Sequence, residues 1–195
     1  MLDDFKARKF RKLKGEIREI LEDISEAEHT LNSVQKFFIE AVCIYAESND
    51  LDNPLFLDSK KDSSEEGFLT EEEGKELFSN RDSPVRNLYR DIVRESHPDK
   101  QSDKPESSKE KLSELCVGAN KAKKDLDLFS VFETAKELKL KFKDLNFTHV
   151  ELLERQLAFL KKKLDLIYNS YPWIYFFSGE TKRARVLKCF FEQNL

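Results

Sequence analysis

Four consecutive residues, His97-Pro98-Asp99-Lys100, put an imidazole, a locked pyrrolidine ring, a carboxylate and an ammonium into one short stretch. An imidazole beside a carboxylate could move protons, but catalysis also needs a nucleophile or base held at hydrogen-bond range of a substrate. No nucleophile–base pair, metal-ligand cluster or glycine-rich phosphate loop accompanies these residues. Cys43, Cys116 and Cys189 are far apart and form no CxxC pair; His29, His97 and His149 are equally scattered. The chain is therefore expected not to be an enzyme, with no catalytic residues, no metal and no cofactor. The cysteines read as reduced, mostly buried thiols.

Recognition suits the four residues better. Pro98 has no N–H to donate and fixes its own backbone, so the chain must leave a helix there. His97 and Asp99 are thereby presented on a turn at the end of a rigid element, where polar side chains usually serve binding. Upstream, Arg86, Arg90 and Arg94 are spaced four apart and share one helical face. With Lys100 they make either a basic strip leading to the turn, suited to an acidic partner surface, or a solvated helix face paired with Asp91 and Glu95.

The run from Val85 to Lys100, VRNLYRDIVRESHPDK, resembles the second helix and following loop of J-domains, the DnaJ family of co-chaperones. That family carries a Tyr-Arg pair ahead of an aliphatic pair and then His-Pro-Asp; here Tyr89-Arg90, Ile92-Val93 and His97-Pro98-Asp99 stand in that register. Leu77-Phe78 would belong to the family's short first helix, and Leu112, Leu115, Ala119 and Ala122 to its third. The resemblance covers roughly residues 70–125. It implies a partner, a heat shock protein 70 chaperone, bound near its nucleotide-binding domain and linker so that its ATP hydrolysis is stimulated. Asp99 would engage a cationic group of that partner, while His97 and Pro98 shape the loop and Arg86, Arg90, Arg94 and Lys100 face it. Several family features are missing. Ser96 stands where an aromatic usual in the family precedes the histidine, and no basic fourth helix is recognisable. Neither a Gly/Phe-rich stretch nor a zinc-binding cysteine repeat is present. An alternative needs no family at all: a coiled-coil scaffold in which HPDK only terminates a helix.

The elements that must position the turn are helical. Phe10, Leu13, Ile17, Ile20, Ile24, Ala27, Leu31, Val34, Phe38, Ala41 and Tyr45 recur at alternating spacings of three and four, the period of a coiled-coil seam. Val150, Leu153, Leu157, Leu160, Leu164, Ile167 and Tyr171 repeat it near the other end. Two seams flanking a central segment fit an antiparallel hairpin within the chain or a dimeric coiled coil between chains, and both stay open. Thr70/Glu73 and Thr148/Glu151 read as capping boxes, Phe147/Leu152 as a hydrophobic staple, and Ser83-Pro84 as a cap with its first turn. Asp125 to Phe132 reads as a turn, a new helix or both. Pro172 predicts a stop near Ser170.

These signals divide the chain into a coiled-coil helix (1–48), a linker (49–69), a J-domain-like segment (70–125), a C-terminal helical arm (126–171) and an aromatic and basic tail (172–195). The expected fold is all-α, with a J-domain-like antiparallel helical pair inserted between two long coiled-coil-forming helices. Only 5 Gly and 5 Pro in 195 residues leave little room for a turn-rich β architecture. A net charge of −4 argues against nucleic acid as a partner. The chain opens on charged residues with no apolar leader, and Trp173–Phe177 is far too short to span a bilayer. A cytoplasmic protein that does not cross a membrane is expected, its arms directing it to an unidentified client.

Overall fold

The computed structural model describes residues 2–56, 71–100, 105–140 and 147–194. Most of the predicted linker and the Thr70 cap lie outside these residues, as do the side chains of Phe147 and Thr148. Among the described residues the fold is all-α, with eight α-helices and no strand. They are α1 (Leu2–Asn49), α2 (Glu71–Ser79), α3 (Pro84–Ser96), α4 (Glu106–Lys124), α5 (Leu128–Glu137), α6 (Phe147–Tyr168), α7 (Tyr171–Phe176) and α8 (Glu180–Asn194). No described helix is long and apolar enough to cross a membrane.

The helix ends follow local chemistry. α3 starts where Ser83 accepts a hydrogen bond from the Arg86 N–H and Pro84 fills the first turn. Three helices end on a non-glycine residue in the left-handed region: Asp50, Leu126 and Lys139. In each case the next residue's N–H reaches back to a carbonyl five positions earlier, from Leu51 to Ala46, Asp127 to Ala122 and Leu140 to Ala135. That bond satisfies a carbonyl the helix end would otherwise leave open, and it offsets the steric cost of the left-handed residue.

The chain forms two compact units, residues 1–17 with 66–159 and residues 18–65 with 160–195, so α1 and α6 each supply a segment to both. In the first, α3 packs on α2, α4 and α5, and α5 also packs on α4. The early part of α1 brings Phe10 edge-on to Phe132 of α5, with ring centroids 5.0 Å apart, and Lys14 pairs with Glu133. Lys9 pairs with Glu154 of α6 at 2.7 Å. α5 therefore packs with α3 and α4, whereas the sequence placed residues 126–171 in a separate arm. The stretch 125–132 is both a turn and a helix: Asp127 accepts from the Ser130 N–H at 3.2 Å and starts α5. Gln156, buried on α6, secures that start. Its amide donates to Asp127 at 2.7 Å and its carbonyl accepts the Phe129 N–H at 3.1 Å.

In the second unit Phe38, Val42 and Ala46 of α1 bury against Val186, Leu187 and Phe191 of α8. Here the seam drifts: Val42 and Ala46 are buried while Ala41 and Tyr45 are only half-buried. An unsupercoiled helix at 3.6 residues per turn shifts its buried stripe in this direction relative to a 3.5 repeat. The α6 seam is buried from Val150 to Ile167 as expected. Glu28 meets Lys163 at 2.8 Å and, ten residues on, Phe38 stacks on Tyr171. In this unit the chain of α6 and α7 thus runs in the same direction as α1. The seams close within one chain in a parallel sense, which corrects the antiparallel hairpin. The physical reason is the length of the intervening segment, which suffices to return the chain to the start of α1.

Of the aromatic and basic tail, whose aromatic cluster is expected to pack against the arms, the described residues form most of α7 and all of α8. α7 divides the aromatic run between two faces: Tyr171, Ile174 and Tyr175 pack on the α1–α8 core, while Trp173, Phe176 and Phe177 lie outside it. Arg183 caps α7, donating to the carbonyls of Tyr175 at 3.1 Å and Phe176 at 2.9 Å. Cys43 and Cys116 are half-buried and Cys189 is exposed, none of them in a disulfide, so burial of the thiols is less complete than expected.

Candidate partner-binding turn

α3 is amphipathic in the strict sense. Val85, Leu88, Ile92 and Ser96 are buried, and Arg86, Arg90 and Arg94 occupy the opposite side. Ser96 is fully buried, and its hydroxyl donates to the Ile92 carbonyl at 2.7 Å. At this position the chain leaves no space for an aromatic ring, because the helix end lies directly on the core.

His97 closes α3 in extended backbone geometry, as a residue before proline must. Pro98–Lys100 then make one tight helical turn, closed by the Lys100 N–H on the His97 carbonyl at 3.0 Å. His97 Nδ1 accepts the Asp99 N–H at 3.3 Å and lies 3.5 Å from Asp99 Oδ2. The imidazole thereby braces the turn while Asp99 keeps a side chain 87% exposed. His97, Pro98, Asp99 and Lys100 are all exposed. The predicted residues are brought together as one surface, although the three arginines are not equivalent. Arg94 donates to Asp91 at 2.7 Å and lies 3.7 Å from Glu95. Among the described residues no acid pairs with Arg86 or Arg90.

Tyr89 holds the turn's supporting helices together, a role its place in the Tyr-Arg pair did not announce. Its ring meets Phe78 of α2 edge-on at 6.0 Å and carries Lys123 of α4 over its face at 4.9 Å. Its hydroxyl donates to Asn120 Oδ1 at 2.6 Å, and the Asn120 amide in turn donates to the Cys116 carbonyl at 2.9 Å. Because α4 begins at Glu106 and its far end reaches Tyr89, α4 doubles back along α3. Burial, with a smaller contribution from Cys116, pushes the Tyr89 phenol above its ordinary value. Asn120 lies one position from the buried Ala119, and nothing in the apolar pattern of α4 singles it out.

A second fixture ties α2 to α6. Arg155 donates twice to Glu73, at 3.1 and 3.2 Å, across a cavity of about 350 Å³ lined also by Asn80, Ser83 and the buried His149. Among the described residues no group of histidine, cysteine or acidic side chains is arranged to hold a metal ion. Set against protein-family models, curated proteins and solved structures, the chain matches none.

Proposed function

We propose that this chain is a J-domain-type co-chaperone that engages a heat shock protein 70 chaperone through the His97-Pro98-Asp99 turn and stimulates its ATP hydrolysis. One observation carries this: the tripeptide sits exposed at the junction of two helices that double back on each other, at the end of a helix with an arginine face. The order of elements supports it too. α2 precedes α3 as a short first helix, α4 follows the turn as the third, and α5 lies where a fourth would be expected. Asp99, braced at its backbone and 87% exposed at its side chain, suits an ion pair with a cationic group on the partner. Arg86 and Arg90 suit electrostatic steering to an acidic surface. The second unit would then direct the turn to a client, raising the local concentration of the chaperone there.

The test is steady-state ATP turnover by a purified heat shock protein 70 chaperone, with this chain or its His97→Gln form added. Stimulation by the unmodified chain and its loss in the variant are expected. Absence of stimulation, or equal stimulation by both, would leave HPDK as a helix-terminating turn in a coiled-coil scaffold.

A further inference from the structure

The second unit carries an apolar surface that its own core does not use. Five rings form a continuous series: Tyr168 to Trp173 at 4.9 Å, Trp173 to Phe177 at 4.8 Å, Phe177 to Phe176 at 5.2 Å and Phe176 to Phe37 at 5.7 Å. Phe37, Tyr168 and Phe177 are 55%, 40% and 58% exposed. Ile44, two turns beyond Phe37 on the same face of α1, is 64% exposed. At the usual area of an aromatic side chain, the five rings leave on the order of 400 Å² of apolar surface open. That is the size at which an apolar patch marks an interaction site, and about half of one side of a standard interface.

Along α6 and α1 the charges at the two ends of this series differ in sign, Arg183 of α8 being held on the carbonyls of Tyr175 and Phe176. At the Tyr168 end, α6 places Lys161 seven residues earlier on the same face, with Lys162 beside it and Asp165 between. At the Phe37 end, α1 places Glu40 between Phe37 and Ile44, followed by Glu47, against the single base Lys36. An anionic lipid surface would be repelled by one end. A second copy turned by a two-fold axis across the middle of the series would set the basic end of each copy on the acidic end of the other. We propose that this aromatic surface is the interface of a homodimer, with rings stacked in the centre and Lys161 of each copy facing Glu40 of the other. Nothing in this pairing depends on the His97 turn.

Sedimentation equilibrium of the full chain tests it, read beside the emission of Trp173, the chain's single tryptophan. A monomer–dimer equilibrium in the micromolar range is expected, weakening with salt, with Trp173 emission shifting to shorter wavelength as the dimer forms. Phe37→Ser/Phe177→Ser, both at exposed positions, should weaken association at least tenfold while the thermal midpoint stays within a few degrees. Glu40→Lys and Lys161→Glu should each weaken it, and the double exchange should restore it. A monomer at several hundred micromolar overturns the proposal. So does a dimer indifferent to the ring substitutions, or one that the double exchange fails to rescue. A monomer whose Trp173 responds only to phosphatidylserine vesicles overturns it in favour of a lipid surface.

Discussion

Leu126 lies directly over Gly74, so that a methyl group added at Gly74 would come within 2.6 Å of Leu126 Cδ2 and 3.1 Å of its Cγ. Leu126 holds a left-handed backbone, with φ of 57°, at the turn between α4 and α5. A buried glycine in α2 thus receives the side chain that the α4 terminus throws outward. The missing Cβ at Gly74 and the unusual backbone at Leu126 are two halves of one contact.

That contact predicts a coupling between the two positions. Alone, Gly74→Ala gains about 1 kcal/mol of helix propensity but must push aside the half-buried Leu126 side chain, which offsets most of that gain. In a Leu126→Ala background the crowding is gone, and the same substitution should stabilise. Urea midpoints at unchanged m-value measure both. Equal effects of Gly74→Ala in the two backgrounds would mean the contact contributes nothing.

Lys14 and Lys9 both pair with acids, but in different surroundings. The Lys14–Glu133 pair has side chains 12% and 25% exposed, with Lys14 also over the Phe10 ring, whereas Lys9–Glu154 is 40% and 44% exposed. Lys14→Met removes a cation from a largely buried carboxylate and should cost about 1–3 kcal/mol. Lys9→Met should cost less than about 0.5 kcal/mol. Chemical denaturation of the two variants compares them directly.

Under the proposed function, the arginine face should act unevenly on the chaperone. Arg94 is already engaged by Asp91 and Glu95, while Arg90 is exposed and unpaired by any acid among the described residues. Arg90→Glu should raise the concentration needed for half-maximal ATPase stimulation roughly tenfold, and Arg94→Glu by much less. The Arg90 effect should shrink as salt is added. Equal effects of the two reversals would show that the intrahelical pairs do not occupy Arg94.

Alkaline pH should loosen both units. Burial, and to a smaller degree Cys116, raises the Tyr89 phenol above 10.0; burial, with Cys189, does the same for Tyr171. Each hydroxyl donates to an amide oxygen, Tyr89 to Asn120 and Tyr171 to Gln193, both at 2.6 Å. The folded state holds these protons more tightly than the unfolded chain does. Their contribution is complete below the unfolded value near 10 and is lost as pH rises through the folded values. Tyr89→Phe/Tyr171→Phe should therefore show a shallower fall in urea midpoint from about pH 9 upward. An unchanged slope would refute the assignment.

How much was legible depended on the range of the interaction. The α6 seam, the α1 seam as far as Phe38, the Ser83-Pro84 start of α3 and the stop at His97 are local patterns, and they follow the periodicity and capping signals; beyond Phe38 the α1 stripe moves to Val42 and Ala46. Leu128, Phe129, Val131 and Phe132 could not be assigned to one element from the sequence, because a left-handed Leu126 is a backbone state that no residue type there announces. Tyr89 bonds Asn120 across 31 positions, and Gln156 reaches Phe129 across 27. Both are polar side chains on otherwise ordinary helices, and only the packing of those helices makes them partners.

Sequence by itself determined that this protein is helical, where its amphipathic stripes run and that His97-Pro98-Asp99 breaks a helix, since these follow from residue spacing and proline's missing donor. The tertiary structure alone decided that the seams close in parallel in the second unit and that α5 joins α3 and α4. It also decided which aromatics of Tyr171–Phe177 turn inward. A periodic apolar stripe states that a partner exists, but its direction and identity depend on where the intervening chain returns, which no local pattern encodes.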